Sequence, residues 1–130
     1  MAEINVIVVT PEATVVDTKT SFAALPLYDG EVGIAPNHAP LIGRLGYGEL
    51  RFDEDGKTMR YFIDGGFVQI ADNVVSIMAD RALPAGDLKV DEARQRLSSA
   101  AAEPASGDQL EEREKRLAQA RAMVRVAERG

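Results

Sequence analysis

The sequence predicts a β + α chain. An N-terminal two-layer antiparallel β-sandwich of about ten short strands precedes a C-terminal antiparallel α-helical hairpin. Three observations carry this. Apolar residues alternate with period two as far as about Asp80, with a turn signal about every eight to twelve residues. From Asp87 the apolar period becomes helical. The charge changes at the same point: residues 1–86 carry 12 acidic and 6 basic side chains, and residues 87–130 carry 9 of each. A sandwich domain over 1–86 and a hairpin domain over 87–130 are therefore expected.

Ile4, Val6 and Val8 alternate with Asn5, Ile7 and Val9, and Pro11 ends that run. Ala13 to Thr18 and Phe22 to Tyr28 follow, and Asp29-Gly30 marks a turn. Glu49 to Phe52 and Lys57 to Asp64 flank Asp53-Glu54-Asp55-Gly56, which reads as a hairpin turn. Gly65-Gly66 is expected to break the chain before Phe67 to Ala71, and Asp72-Asn73 to turn it into Val74 to Ala79. INVIVV and VVSIMA are apolar on both faces, which suits strands packed between layers.

Asp87 is placed as the N-cap of the first helix, with Asp91 and Glu92 near its positive end. Val90, Ala93, Leu97 and Ala100 share one face, and Pro104 and Gly107 stop the helix. Asp108 and Glu111 have the spacing of a capping box. The second helix runs to about Glu128, with acidic residues in its first turns and Arg121, Arg125 and Arg129 in its last. Leu110, Leu117 and Val124 repeat every seven residues, with Ala120 and Ala127 between them. A seam this rich in alanine buries little, at about 0.8 kcal/mol per methylene. The hairpin is expected to dock weakly enough to move.

The net charge of −6 argues against nucleic acid as a partner. The chain has no cysteine, which removes disulfides, thiolate metal sites and the thiol nucleophile. MAEINVIVV lacks the basic region and cleavage site of a signal peptide, and no apolar run reaches the roughly 20 residues of a membrane span. No direct membrane insertion is expected.

Few places remain for chemistry. The segment Gly30 to Leu50 holds the only histidine and many of the glycines. Gly43, Gly46 and Gly48 do not form the dinucleotide fingerprint, and a strand-like run follows them where phosphate binding needs a helix. His38 lies between Pro36 and Pro40 with no evident nucleophile or orienting carboxylate, so a rigid contact loop is favoured over catalysis. Asp53 to Gly56 lacks the spaced oxygen ligands and distal glutamate of a calcium loop. No catalytic residue and no metal are expected.

The residues do carry a family likeness. V-x-x-P-E at Val8 to Glu12, G-E-V-G-I-x-P-x-H-A-P-L at Gly30 to Leu41, G-x-L-R at Gly48 to Arg51, G-G-F-x-x-I at Gly65 to Ile70 and V-D-E-A-R at Val90 to Arg94 occur in order along the chain. With these motifs it resembles the epsilon subunit of the F-type ATP synthase, the counterpart of mitochondrial delta. The resemblance implies a non-catalytic rotor subunit of the central stalk, peripheral on the cytoplasmic face of a bacterial membrane. Its partners would be the gamma subunit, the ring of c subunits and the catalytic alpha/beta head. The ring and gamma contact would fall on Glu31, Val32, Gly33, Pro36, Asn37, His38, Ala39, Pro40 and Leu41. Asn37 stands where the family usually has glycine, and asparagine tolerates the left-handed backbone expected there. The hairpin would inhibit ATP hydrolysis when extended, with Arg121, Arg125 and Arg129 meeting an acidic loop of the catalytic subunit. Some members bind regulatory ATP through a motif that Val90, Asp91 and Arg94 match, although Gln95 departs from it. The alternative reading is an ATP-binding sandwich gated by a helical lid.

Overall fold

The computed structural model describes residues 2–103, 107 and 109–129. The strands are β1 (Ile4–Val9), β2 (Thr14–Thr20), β3 (Ala23–Leu27), β4 (Gly30–Ile34), β5 (Leu41–Glu54), β6 (Lys57–Ala71), β7 (Val74–Ala79) and β8 (Ala82–Pro84). A 3-10 turn at Ala85–Asp87 leads to helices α1 (Val90–Ala102) and α2 (Gln109–Arg129).

The strands form one hydrogen-bonded path, β2-β1-β7-β6-β5-β3-β4, with β8 on β6. The path folds into two layers because β5 and β6 bend sharply. In β5 the core-facing side chains shift phase between Leu45 and Leu50, and in β6 between Ile63 and Val68. The bend lies at Gly46 in one strand and Gly65-Gly66 in the other. Gly65 and Gly66 have φ of 77° and 121°, and a Cβ on Gly46 would lie 2.7 Å from the Leu27 carbonyl oxygen. Pairing continues across the corner, from Leu45↔Gly66 to Tyr47↔Asp64. Leu41–Leu45 and Gly66–Ala71 join β7, β1 and β2 in the first layer. The other halves join β3, β4 and β8 in the second.

The expected break at Gly65-Gly66 is thus a bend within one strand. The eight strands, with two of them halved at this corner, supply the ten segments that the turn signals suggested. One pair departs from the antiparallel expectation: β1 runs parallel to β7. Parallel neighbours need a long crossover, and here β2 to β6 lie between them in the chain.

Local chemistry explains the other turns. Asp55-Gly56 and Asp72-Asn73 each place two successive residues at positive φ, as two-residue hairpin loops require. Pro26 sits in β3 between two partner strands, at the point where the β3–β5 register shifts. Ile4, Val6, Val8, Ile70 and Ile77 from one layer meet Leu25, Ile34, Leu50 and Ile63 from the other, all buried. Each such side chain contributes roughly 1.5–3 kcal/mol.

The helical hairpin covers the outer face of the second layer. Asp87 does not cap α1: it lies in the 3-10 turn, and Lys89 occupies the N-cap position without a side-chain cap. Asp91 and Glu92 do fall in the first turn. Ala93 and Ala100 are buried, Val90 and Leu97 are half-buried, and Leu110 is exposed. Gly107 has a left-handed φ of 60°, while the expected roles of Pro104 and Asp108 lie outside the described residues. From α2, Arg113 donates to the carbonyls of Ala101 and Glu103, both at 2.9 Å, and so satisfies the end of α1. The contact with the sandwich centres on Phe62, fully buried against Ala85, Ala93, Ala122, Met123, Val126 and Ala127. Four of those six partners are alanines, so one aromatic ring supplies much of the apolar grip.

Gly66→Ala should destabilise the fold by about 2–4 kcal/mol, because the new Cβ would collide with the Met78 carbonyl and φ is wrong for alanine; the denaturant midpoint reports this. Phe62→Ala should cost about 3–5 kcal/mol. Native-state hydrogen exchange should show that loss first in α1 and α2, with the amides of β1 and β7 still protected.

Candidate interaction surfaces

The Gly30 to Leu41 segment is not one loop. Gly30 to Ile34 form edge strand β4, residues 35–40 form a short turn, and Leu41 opens β5. Gly43, Gly46 and Gly48 therefore lie inside a strand. Glu31 is exposed on β4 and accepts two hydrogen bonds from Arg51, Nη1 to Oε2 and Nη2 to Oε1, each at 3.1 Å. That hydrogen-bonded partner holds the Arg51 guanidinium above its ordinary pKa. Val32 packs against the sandwich core. Gly33 lies under the ring of Phe22, where an added Cβ would meet Cζ at 2.8 Å.

The turn itself is pinned. Asn37 adopts φ 67°, the left-handed backbone expected of it. Its N–H donates to the Asn73 side-chain oxygen at 2.6 Å, which ties the turn to the β6–β7 hairpin. His38 N–H donates to the Ala35 carbonyl at 3.2 Å. His38 Nδ1 stands 2.7 Å from the Ala39 carbonyl oxygen. A carbonyl only accepts, so Nδ1 carries a hydrogen. Among the described residues no other hydrogen bond reaches the ring, and no nucleophile or carboxylate joins it. Pro36 is half-buried, Ala39 and Pro40 are exposed, and Leu41 packs at the edge of the core. The arrangement is a pinned turn between two prolines that carries Asn37 and His38 at the sheet edge.

A second surface is one that sequence reasoning missed. On the outer face of the first layer, Val9 pairs with Met78, Met78 with Phe67 and Phe67 with Arg44. Val9, Met78 and Phe67 are 38%, 47% and 58% exposed, and Ile42, on the same face of β5, is 81% exposed. Arg44 lies over the Tyr28 ring, 4.4 Å from its centroid. The available signal was the double apolar alternation of INVIVV and VVSIMA. The alternation suggests packing on both sides, but the outer side carries the exposed Val9 and Met78. A contiguous apolar stripe on an open sheet face is the usual mark of an interaction site.

The hairpin is held by polar contacts as well as by Phe62. Glu49 on β5 is buried, with its side chain 5% exposed. Its Oε2 receives Arg60 Nε at 2.7 Å, and its Oε1 faces Arg129 of α2 at 3.3 Å. Arg60 Nη2 also donates to the Val126 carbonyl at 3.0 Å, so the sandwich supplies a cation to the negative end of α2. Asp64 on β6 pairs with Arg81 at 3.1 Å and receives Gln119 of α2 at 2.8 Å.

Of the arginine stripe, Arg129 is thus engaged, whereas Arg121 and Arg125 are exposed with no ion pair among the described residues. Asp91 and Arg94 are exposed at the start of α1. Arg94 Nη2 donates to Glu128 at 2.8 Å, which clasps the two helices and raises the guanidinium pKa. A groove of about 600 Å³ runs along the hairpin past Arg81, Arg96 and Arg116. Asp91 and Arg94 are not among its walls. No helix among the described residues is long and apolar enough to cross a membrane.

Comparison with known proteins agrees with this architecture. Residues 3–85 match the family described as ATP synthase, Delta/Epsilon chain, beta-sandwich domain. The ATP synthase epsilon chain of Rhodopirellula baltica is 48% identical over 103 residues, 79% of this chain and 80% of that one. That of Desulfitobacterium hafniense is 37% identical over 119 residues, 92% and 90% of the two chains. Two solved assemblies share the fold. One is the Euglena gracilis mitochondrial ATP synthase OSCP/F1/c-ring, at TM-score 0.76 and 23% identity, covering 98% of this chain and 79% of that one. The other is the Tetrahymena thermophila mitochondrial ATP synthase central stalk/c-ring, at TM-score 0.75 and 14% identity, covering 95% and 96%. The family match spans most of the chain, and the epsilon chains extend it into the helices. The chain belongs to the family of ATP synthase epsilon chains, non-catalytic subunits of that complex.

Proposed function

We propose that this chain is a rotor subunit of the central stalk that couples ion flow through a membrane ring to ATP synthesis. The observation that carries this reading is the exposed row Val9, Met78 and Phe67 on the face opposite the hairpin. It offers a flat apolar surface for the gamma subunit while the hairpin stays free on the other side. The pinned turn at residues 35–40 presents Asn37 and His38, and Glu31 is exposed on the strand before it; these polar groups suit the polar loops of the c ring. In this reading the chain sits on the cytoplasmic face of the membrane, attached through these partners.

The hairpin is the regulatory element. Docked, it engages Arg129 and leaves Arg121 and Arg125 at the surface. Extended towards the catalytic alpha/beta head, it would present all three arginines to acidic groups and block ATP hydrolysis. Its alanine-rich contact supports a gap between the two positions of a few kcal/mol, which a partner can tip.

Two outcomes are expected on reconstitution. Phe67→Asp with Met78→Asp should weaken binding to gamma by at least about 100-fold, with the circular dichroism spectrum unchanged; undiminished binding would move the gamma contact elsewhere. Removing residues 87–130 should raise the ATP hydrolysis rate of the assembled enzyme; an unchanged rate under all conditions would remove the inhibitory role and leave the coupling role standing.

A further inference from the structure

Two arginines approach one oxygen of Glu49. Arg129, the last described residue of α2, reaches Glu49 Oε1 at 3.3 Å. Arg51 Nη1 stands 3.9 Å from the same oxygen, held back by its two hydrogen bonds to Glu31. The other oxygen of Glu49 belongs to Arg60, which also donates to the Val126 carbonyl. Glu31, Glu49 and Arg129 line one cleft between β4 and the end of α2, with a volume of about 240 Å³.

We propose that Glu31 on the edge strand sets how firmly the C-terminal turns of α2 are docked, by drawing Arg51 away from the Glu49 oxygen that Arg129 needs. With Glu31 free, Arg51 is occupied and Arg129 has its partner. A cationic or strongly donating side chain that takes Glu31 leaves Arg51 without its two bonds. Arg51 then falls back on Glu49 Oε1, less than 1 Å beyond ordinary contact distance, and displaces Arg129. Contact at the edge strand thereby loosens the helix end. By linkage, a docked helix end makes Glu31 harder to engage to the same degree. The inference deepens the reading of the hairpin as a movable regulatory element, and it names the surface that senses the partner.

The test uses the isolated full chain and needs no other subunit. Native-state hydrogen exchange is followed for the amides of residues 120–127. Glu31→Ala should speed their exchange by about two- to fivefold, the range expected for one partly exposed ion pair. Arg129→Gln should do the same, and the double variant should be no faster than Arg129→Gln alone. In an Arg51→Met background, Glu31→Ala should change nothing. The proposal is overturned if Glu31→Ala is silent in the native background, if the two effects add, or if the Glu31 effect survives Arg51→Met. None of these results bears on whether the extended hairpin inhibits hydrolysis. A hairpin without inhibitory effect would equally leave the exchange data unaffected.

Discussion

The structure depends on a corner that only glycine permits. At Gly46 and Gly65-Gly66 two paired strands change which side chains face inward, and neither loses its partner. Without that corner β5 and β6 would be flat ribbons, and the sheet would have one apolar face too many. With it, a single hydrogen-bonded path closes over its own core. It also assigns the two outer faces. Arg44 and Phe67, on one side of the corner, look out from the first layer. Glu49 and Phe62, on the other, look out from the second, where the hairpin lies. The exposed apolar row and the docked hairpin thus share two strands without sharing a face.

The docked hairpin combines little apolar burial with well-neutralised charge. Glu49 and Asp64 are the buried carboxylates beneath it, and each has an arginine from the sandwich itself, Arg60 and Arg81. Undocking therefore does not leave a bare carboxylate in an apolar setting, which would cost several kcal/mol. What α2 contributes, Arg129 and Gln119, is an additional partner for each. Undocking would expose Phe62 with Met123, Val126 and the alanines packed on it, and would break a few hydrogen bonds.

Most of the fold was legible in the sequence because its signals are local. Alternation marked the strands, Asp-Gly and Asp-Asn marked the tight turns, and the change of period at Asp87 marked the helices. The Gly65-Gly66 bend was read as a break because glycine pairs look alike in both settings. What tells them apart is the pairing of Leu45 with Gly66 across the sheet, which no local window contains. The N-cap at Asp87 failed for a related reason: Leu88 and Lys89 are extended before the helix begins, and Asp87 caps nothing. Asn37 was legible because its backbone constraint is its own. The apolar outer row was not, since Val9 on β1 lies far along the chain from the β6–β7 hairpin that carries Phe67 and Met78. Likewise the grouping of Glu31, Arg51, Glu49 and Arg129 exists only once β4, β5 and α2 meet.

Asn73 has a place in the fold beyond its turn. Its carbonyl accepts from the backbone of Asn5, at the start of β1, while its side chain accepts from Asn37. Three segments distant in sequence are thereby bolted together at one end of the sandwich. A push on His38 does not bend a free loop; it travels through Asn73 into β1 and the β6–β7 hairpin. The turn at residues 35–40 is thus tied to the first layer through Asn73.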